Sequence, residues 1–65
     1  MKIDVNGAPQ EVHSATLSAV LAELGWGEAR VATALNGAFV PKAARDTTPV
    51  TAGDRLEVLA PMQGG

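Results

Sequence analysis

The residues best suited to chemistry in this sequence are its last three, Gln63-Gly64-Gly65, reached through Pro61 and Met62. Read as a terminus, Gly65 sets a carboxylate on an unbranched tail beyond the last apolar stretch. Glycine has no Cβ and adopts almost any φ/ψ, so a Gly-Gly end can thread a narrow channel and offer its carboxylate to another protein's active site. The competing reading is a frayed end, since order is commonly lost at termini. A carboxylate is a poor electrophile until one oxygen becomes a leaving group, so this chemistry requires a partner that activates it. Gly65 is then the reacting position, and Met62, Gln63 and Gly64 are the residues that thread the partner's active site.

The remaining candidates read as structure. The single His13 has no Ser, Cys or carboxylate pattern around it and is assigned to the surface, not to acid–base work. Gly25-Trp26-Gly27 lacks the third glycine and the preceding strand of a dinucleotide fingerprint, and is read as a helix stop with a packing tryptophan. The acidic residues are scattered, as on a solvated face. With no cysteine and no clustered ligands, the sequence supports neither thiolate chemistry, nor disulfides, nor a metal site, and no bound cofactor is expected. Five Lys/Arg against seven Asp/Glu, and only Trp26 and Phe39 as aromatics, supply too little for phosphate neutralisation or base stacking, so nucleic acid is set aside.

Sixty-five residues allow one domain with a small core, resting on a hydrophobic content of 46%. Met1-Lys2 leads straight into an alternating pattern without the apolar region of a signal sequence, and no stretch approaches the roughly 20 apolar residues of a membrane helix. A cytoplasmic protein that does not engage membranes is expected.

The elements that must carry the tail follow from periodicity. Lys2-Ile3-Asp4-Val5 alternates, meets the turn pair Asn6-Gly7 and continues as Pro9-Gln10-Glu11-Val12-His13, an opening hairpin. Thr16, with Ser14 as a rival, caps a helix whose Leu17, Val20, Leu21 and Leu24 fall on one face; Gly25 and Gly27 end it. Arg30 to Leu35 reads as a strand, Asn36-Gly37 as a second turn, and Ala38-Phe39-Val40 as a short strand before Pro41. Lys42 to Ala52 reads as irregular. Gly53-Asp54, with Asp54 capping backbone N–H groups, turns the chain into the final strand Arg55 to Leu59. This order implies an α+β fold, a sheet with one helix packed across one face.

Ala34-Leu35-Asn36-Gly37, Val40-Pro41-Lys42, Gly53-Asp54-Arg55-Leu56-Glu57-Val58 and Gln63-Gly64-Gly65 together resemble the thiamine-biosynthesis sulfur-carrier family, over nearly the whole chain. The resemblance implies a single ubiquitin-like β-grasp domain over residues 1–65, a mixed sheet of four to five strands with one helix, and a flexible tail over 60–65. It implies a carrier and not an enzyme. A ubiquitin-activating-type partner would use ATP to adenylate the Gly65 carboxylate, sulfur from a persulfide donor would displace AMP to leave a thiocarboxylate, and thiazole synthase would accept the sulfur. Without cysteine, an activated carboxyl is the covalent route to sulfur left to this chain, short of an external cofactor. One departure stands out: where the family commonly has an aromatic four residues after the proline, this sequence has Arg45.

For the partner surface, Leu56 and Val58 facing the core would leave Leu59 outside, and Phe39 has two places open to it. Either it fills the small core, the stronger expectation with only two aromatics available, or it joins Leu59 and Met62 in an apolar docking patch. Other functions left open are a carrier of the molybdopterin-synthase small-subunit type and a passive ubiquitin-like interaction module. Val40-Pro41-Lys42 and the short length favour thiamine.

Overall fold

Two Asn-Gly turns shape the outer parts of the sheet. In the computed structural model, which describes residues 1–27 and 29–60, strands β1 (Lys2–Val5) and β2 (Ala8–Glu11) pair antiparallel around Asn6 and Gly7 at φ 53° and 86°. Strands β3 (Ala32–Leu35) and β4 (Ala38–Val40) do the same around Asn36 and Gly37 at φ 52° and 85°. Positive φ at both central positions is the type I′ turn, whose twist matches that of paired strands; Asn and Gly tolerate it at low cost. Between the hairpins lies β5 (Arg55–Leu59), parallel to β1 and antiparallel to β3, so the sheet order is β2-β1-β5-β3-β4. The strand that leads into the tail is therefore the central one.

Helix α1 (Leu17–Glu23) covers one face of this sheet, burying Leu17, Val20 and Leu21. Thr16 is its cap, its Oγ1 accepting from the Ala19 N–H at 3.3 Å. At the other end Gly25 turns left-handed at φ 92°. The Trp26 N–H donates to the Leu21 carbonyl at 2.7 Å and the Gly25 N–H to that of Ala22 at 3.1 Å, a Schellman ending. Trp26 packs against the rim of the core. Ser14, the rival cap, has a different task. Its N–H and that of His13 donate to the Glu23 carboxylate at 3.1 and 2.9 Å, tying the loop to the end of the helix. The His13 N–H above all holds that carboxylate below its usual range.

The core is aliphatic: Ile3, Val5, Val12, Leu17, Val20, Leu21, Val40, Val50, Leu56 and Val58 are buried together. The expectation that Phe39 fills this core is overturned, since Phe39 is 69% exposed. Val40 pairs with Thr33 and takes the inward position, and the two-residue period of a strand turns its neighbour Phe39 to the opposite face. Two expected strands are shorter than read, β2 stopping at Glu11 and β3 beginning at Ala32. The stretch read as irregular contains a 3-10 helix, Lys42–Thr47, in which the Ala44 N–H donates to the Pro41 carbonyl and the Thr47 and Thr48 hydroxyls donate to that of Ala44. Among the described residues no helix is long and apolar enough to cross a membrane.

Candidate functional site

The tail grows from β5, and the residues around β5 define the ground on which it acts. Leu56 and Val58 face the helix and are buried; Arg55, Glu57 and Leu59 face away and are exposed, Leu59 at 71%. On that open face the register sets Ala34 beside both Phe39 and Glu57, and Ala32 beside Leu59. Alanine projects a single carbon, so β3 forms a low floor between the Phe39 ring on one side and Leu59 on the other. The result is a shallow apolar depression of about 300 Å³ lined by Ala32, Ala34, Phe39 and Leu59, with Glu57 and Asn6 among its polar boundaries. Phe39 and Leu59, 20 positions apart in sequence, thus share one surface. Met62, Gln63, Gly64 and Gly65, and with them most of the tail expected over 60–65, lie outside the described residues.

Side chains from neighbouring turns hold β5 in place. At its start the Arg55 N–H donates to Asn36 Oδ1 at 2.9 Å, while Asn36 Nδ2 donates to Asp54 Oδ1 at 3.1 Å. Asp54 Oδ2 accepts from the Thr51 N–H at 2.8 Å, the capping expected from sequence. Near the end of β5, Asn6 bonds to Val58 twice, accepting from its N–H at 2.8 Å and donating to its carbonyl at 3.1 Å. Neither asparagine clamp was visible in the sequence, where Asn-Gly marks a turn but says nothing of what the asparagine amide reaches. Arg45 plays the same part for β3, donating from Nη2 to the Val31 carbonyl at 2.6 Å and from Nε to Thr33 Oγ1 at 3.1 Å. Arg45, where the resemblance led to the expectation of an aromatic, is thus a polar tie to the strand under the depression.

The Asp54 cap gives a pH dependence. The Thr51 N–H, and next the Asn36 amide, hold its carboxyl below the ordinary aspartate range, with burial opposing them. The unfolded chain, with the higher pKa, takes up the proton first as pH falls. The stability from Asp54 is therefore complete above the ordinary value of about 4 and is lost below it, as pH passes through the folded-state pKa. Asp54→Asn is expected to lower the urea midpoint at pH 7 and to reduce the difference between the midpoints at pH 7 and pH 3. An unchanged difference would assign the acid loss to other carboxylates.

His13 is exposed and Glu23 engages its backbone N–H, as expected of a surface residue. Among the described residues no group of three or more His, Cys, Asp or Glu could hold a metal ion. What the described residues offer is an anchored strand with an apolar depression beside the root of the tail, an arrangement suited to docking.

Comparison with known proteins bears on the fold and the family. The sequence model of the ThiS family matches residues 3–65. The crystal structure of a thiamine biosynthesis protein (ThiS) from Geobacter metallireducens is 36% identical and superposes with a TM-score of 0.83, each chain covered in full. A solution NMR structure of a thiamine biosynthesis protein from the same organism is 35% identical with a TM-score of 0.79, covering 100% of this chain and 88% of that one. A thiazole synthase of Paramagnetospirillum magneticum is 38% identical over 66 residues. The match covers the whole of this chain but only 20% of that protein, so the chain spans about a fifth of the length of this curated relative. The fold expected from the motifs, a ubiquitin-like β-grasp, is the fold observed, with five strands in the mixed sheet.

Proposed function

Because this chain belongs to the ThiS family, we propose that it is a sulfur carrier of thiamine biosynthesis whose reacting group is the Gly65 carboxylate. The observation that carries this reading is the match from residue 3 to residue 65, which takes in the diglycine together with the scaffold. A carboxylate oxygen attacks the α-phosphorus of ATP in the active site of an adenylating enzyme of the ubiquitin-activating type, and pyrophosphate leaves. The terminal sulfur of a persulfide donor then attacks the acyl carbon and AMP departs. A thiol, as two-electron reductant, cleaves the remaining S–S bond and leaves a thiocarboxylate. The chain is a co-substrate here and not an enzyme; ATP belongs to the partner, and the cycle runs in the cytoplasm.

The acceptor on this reading is thiazole synthase. In its support, a segment 38% identical to this chain forms part of a longer polypeptide named thiazole synthase. The test is intact mass: the chain, ATP, the adenylating enzyme and a persulfide donor are expected to yield a product with one oxygen replaced by sulfur, and thiazole synthase with its substrates is expected to reverse the shift. An unshifted mass after complete incubation would refute the carrier role and favour a passive module.

Docking is assigned to the depression bounded by Phe39 and Leu59. Leu59→Ala is expected to weaken binding to the adenylating enzyme by about 1–2 kcal/mol, as for an apolar contact buried in an interface. Because Leu59 is exposed in the free chain, its unfolding midpoint should stay within about 0.5 kcal/mol of wild type. Calorimetry showing unchanged affinity would remove Leu59 from the interface.

A further inference from the structure

Strand β1 ends at Val5, level with Leu56, yet β5 runs on to Leu59. Past that level the β1-side edge of β5 would have open peptide groups. The Asn6 N–H meets the first of them, donating to the Leu56 carbonyl at 2.9 Å. The Asn6 side chain meets the next, pairing with both the N–H and the carbonyl of Val58, 52 residues away. A primary amide carries a donor and an acceptor in one plane, as a peptide group does, so Asn6 prolongs the ladder where its strand has turned away. Both ladder groups of Val58 are thereby taken up by Asn6 on the β1 side, while Thr33 faces it in register on the other. Among the described residues Leu59 has Ala32 alone as its strand partner, and Ala60 lies outside the strand.

We propose that Asn6 is a positioning residue for loading of the tail, setting where the sheet stops and the tail begins. The inference rests on the carrier reading above. Val58 and the reacting end at Gly65 are seven positions apart, a reach of about 23–25 Å when extended. Without the amide, β5 beyond Leu56 is paired on one edge only, and the residues at the root must be ordered again each time a partner takes up the tail. That cost falls on ground state and transition state alike, so it appears in KM and not in kcat.

Asn36 supplies a matched control. It sits in the same turn type, at almost the same φ, and its amide also clamps β5, but at Arg55, the end remote from the tail. Glycine accepts positive φ, so Asn6→Gly and Asn36→Gly each remove a clamp and keep the turn. Both are expected to lower the unfolding midpoint. Asn6→Gly alone is expected to raise the KM for adenylation about three- to tenfold with kcat within about twofold, in keeping with the loss of two hydrogen bonds at the root. In the free chain it alone should speed amide exchange at Val58 by about tenfold or more beyond the global change.

Wild-type loading with equal KM for Asn6→Gly and Asn36→Gly, or unaltered Val58 exchange, would overturn the inference and leave the carrier reading standing. Wild-type chain that fails to load would instead overturn the carrier reading, with Val58 exchange still deciding the clamp. Should Asn6→Gly not fold, Asn6→Asp keeps the turn and the acceptor for the Val58 N–H but sets an anionic oxygen against the Val58 carbonyl. It is expected to shift KM and exchange in the same direction.

Discussion

Gly65→Val is expected to abolish adenylation of this chain, a loss of at least about a hundredfold in pyrophosphate exchange with the adenylating enzyme, while leaving the fold intact. A β-branched residue next to the reacting carbon restricts χ1 and crowds the approach to phosphorus, and it widens the segment that must enter the channel. Misplacement of a reacting atom by about 1 Å can cost about a hundredfold, and a side chain where none was tolerated displaces the carboxylate by at least that much. The scaffold is indifferent to the change. Among the described residues the ten of the core lie between Ile3 and Val58, so circular dichroism and the urea midpoint should match wild type. Retained exchange activity in Gly65→Val would remove the carboxylate mechanism outright. Deleting Gly64-Gly65 should have the same effect in cells, failing to rescue a strain that requires thiamine because its own carrier is missing.

Leu56→Ala is expected to do the reverse, weakening the scaffold and sparing the reactive end. Leu56 is 1% exposed, lies on the central strand and pairs toward Val5 on one side and Leu35 on the other. Large-to-small changes at such sites cost about 2–5 kcal/mol. A 65-residue chain holds about 3–10 kcal/mol in all, so the change removes a large share of the stability and should lower the urea midpoint steeply. The comparison with Leu59→Ala is sharp: the same truncation on the same strand, three residues on and on the other face, should leave the midpoint unmoved. A Leu56→Ala midpoint within about 1 kcal/mol of wild type would mean that the small core collapses around the gap far better than leucine cores usually do.

Much of this fold is legible residue by residue. Thr16 with Leu17, Val20, Leu21 and Gly25 carries the helix and its ending, and the two Asn-Gly pairs carry both turns, because each of these signals is local. The parallel pairing of β1 with β5 is not local. No residue in Lys2–Val5 encodes a partner some 50 positions away, and only the family resemblance implied the mixed sheet. The 3-10 helix at Lys42–Thr47 buries no residue, so it leaves no apolar period to detect. Phe39 was misjudged from composition, scarcity of aromatics suggesting a core position. A three-residue strand offers too little alternation to set the parity that Val40 decides. The same parity brings Phe39 and Leu59 onto one face. That face can be foreseen only once β3, with its outward Ala32 and Ala34, is known to lie between β4 and β5.

The sheet order has a mechanical consequence. Ladder hydrogen bonds run across the strands, so a pull along the middle strand strains the rungs on both flanks together and cannot open them one after another, as it would at an edge. A partner that grips the end of this polypeptide therefore pulls against shear on two sides, against β1 and β3 at once. Traction applied beyond Leu59 can be transmitted to the body of the domain without unravelling it.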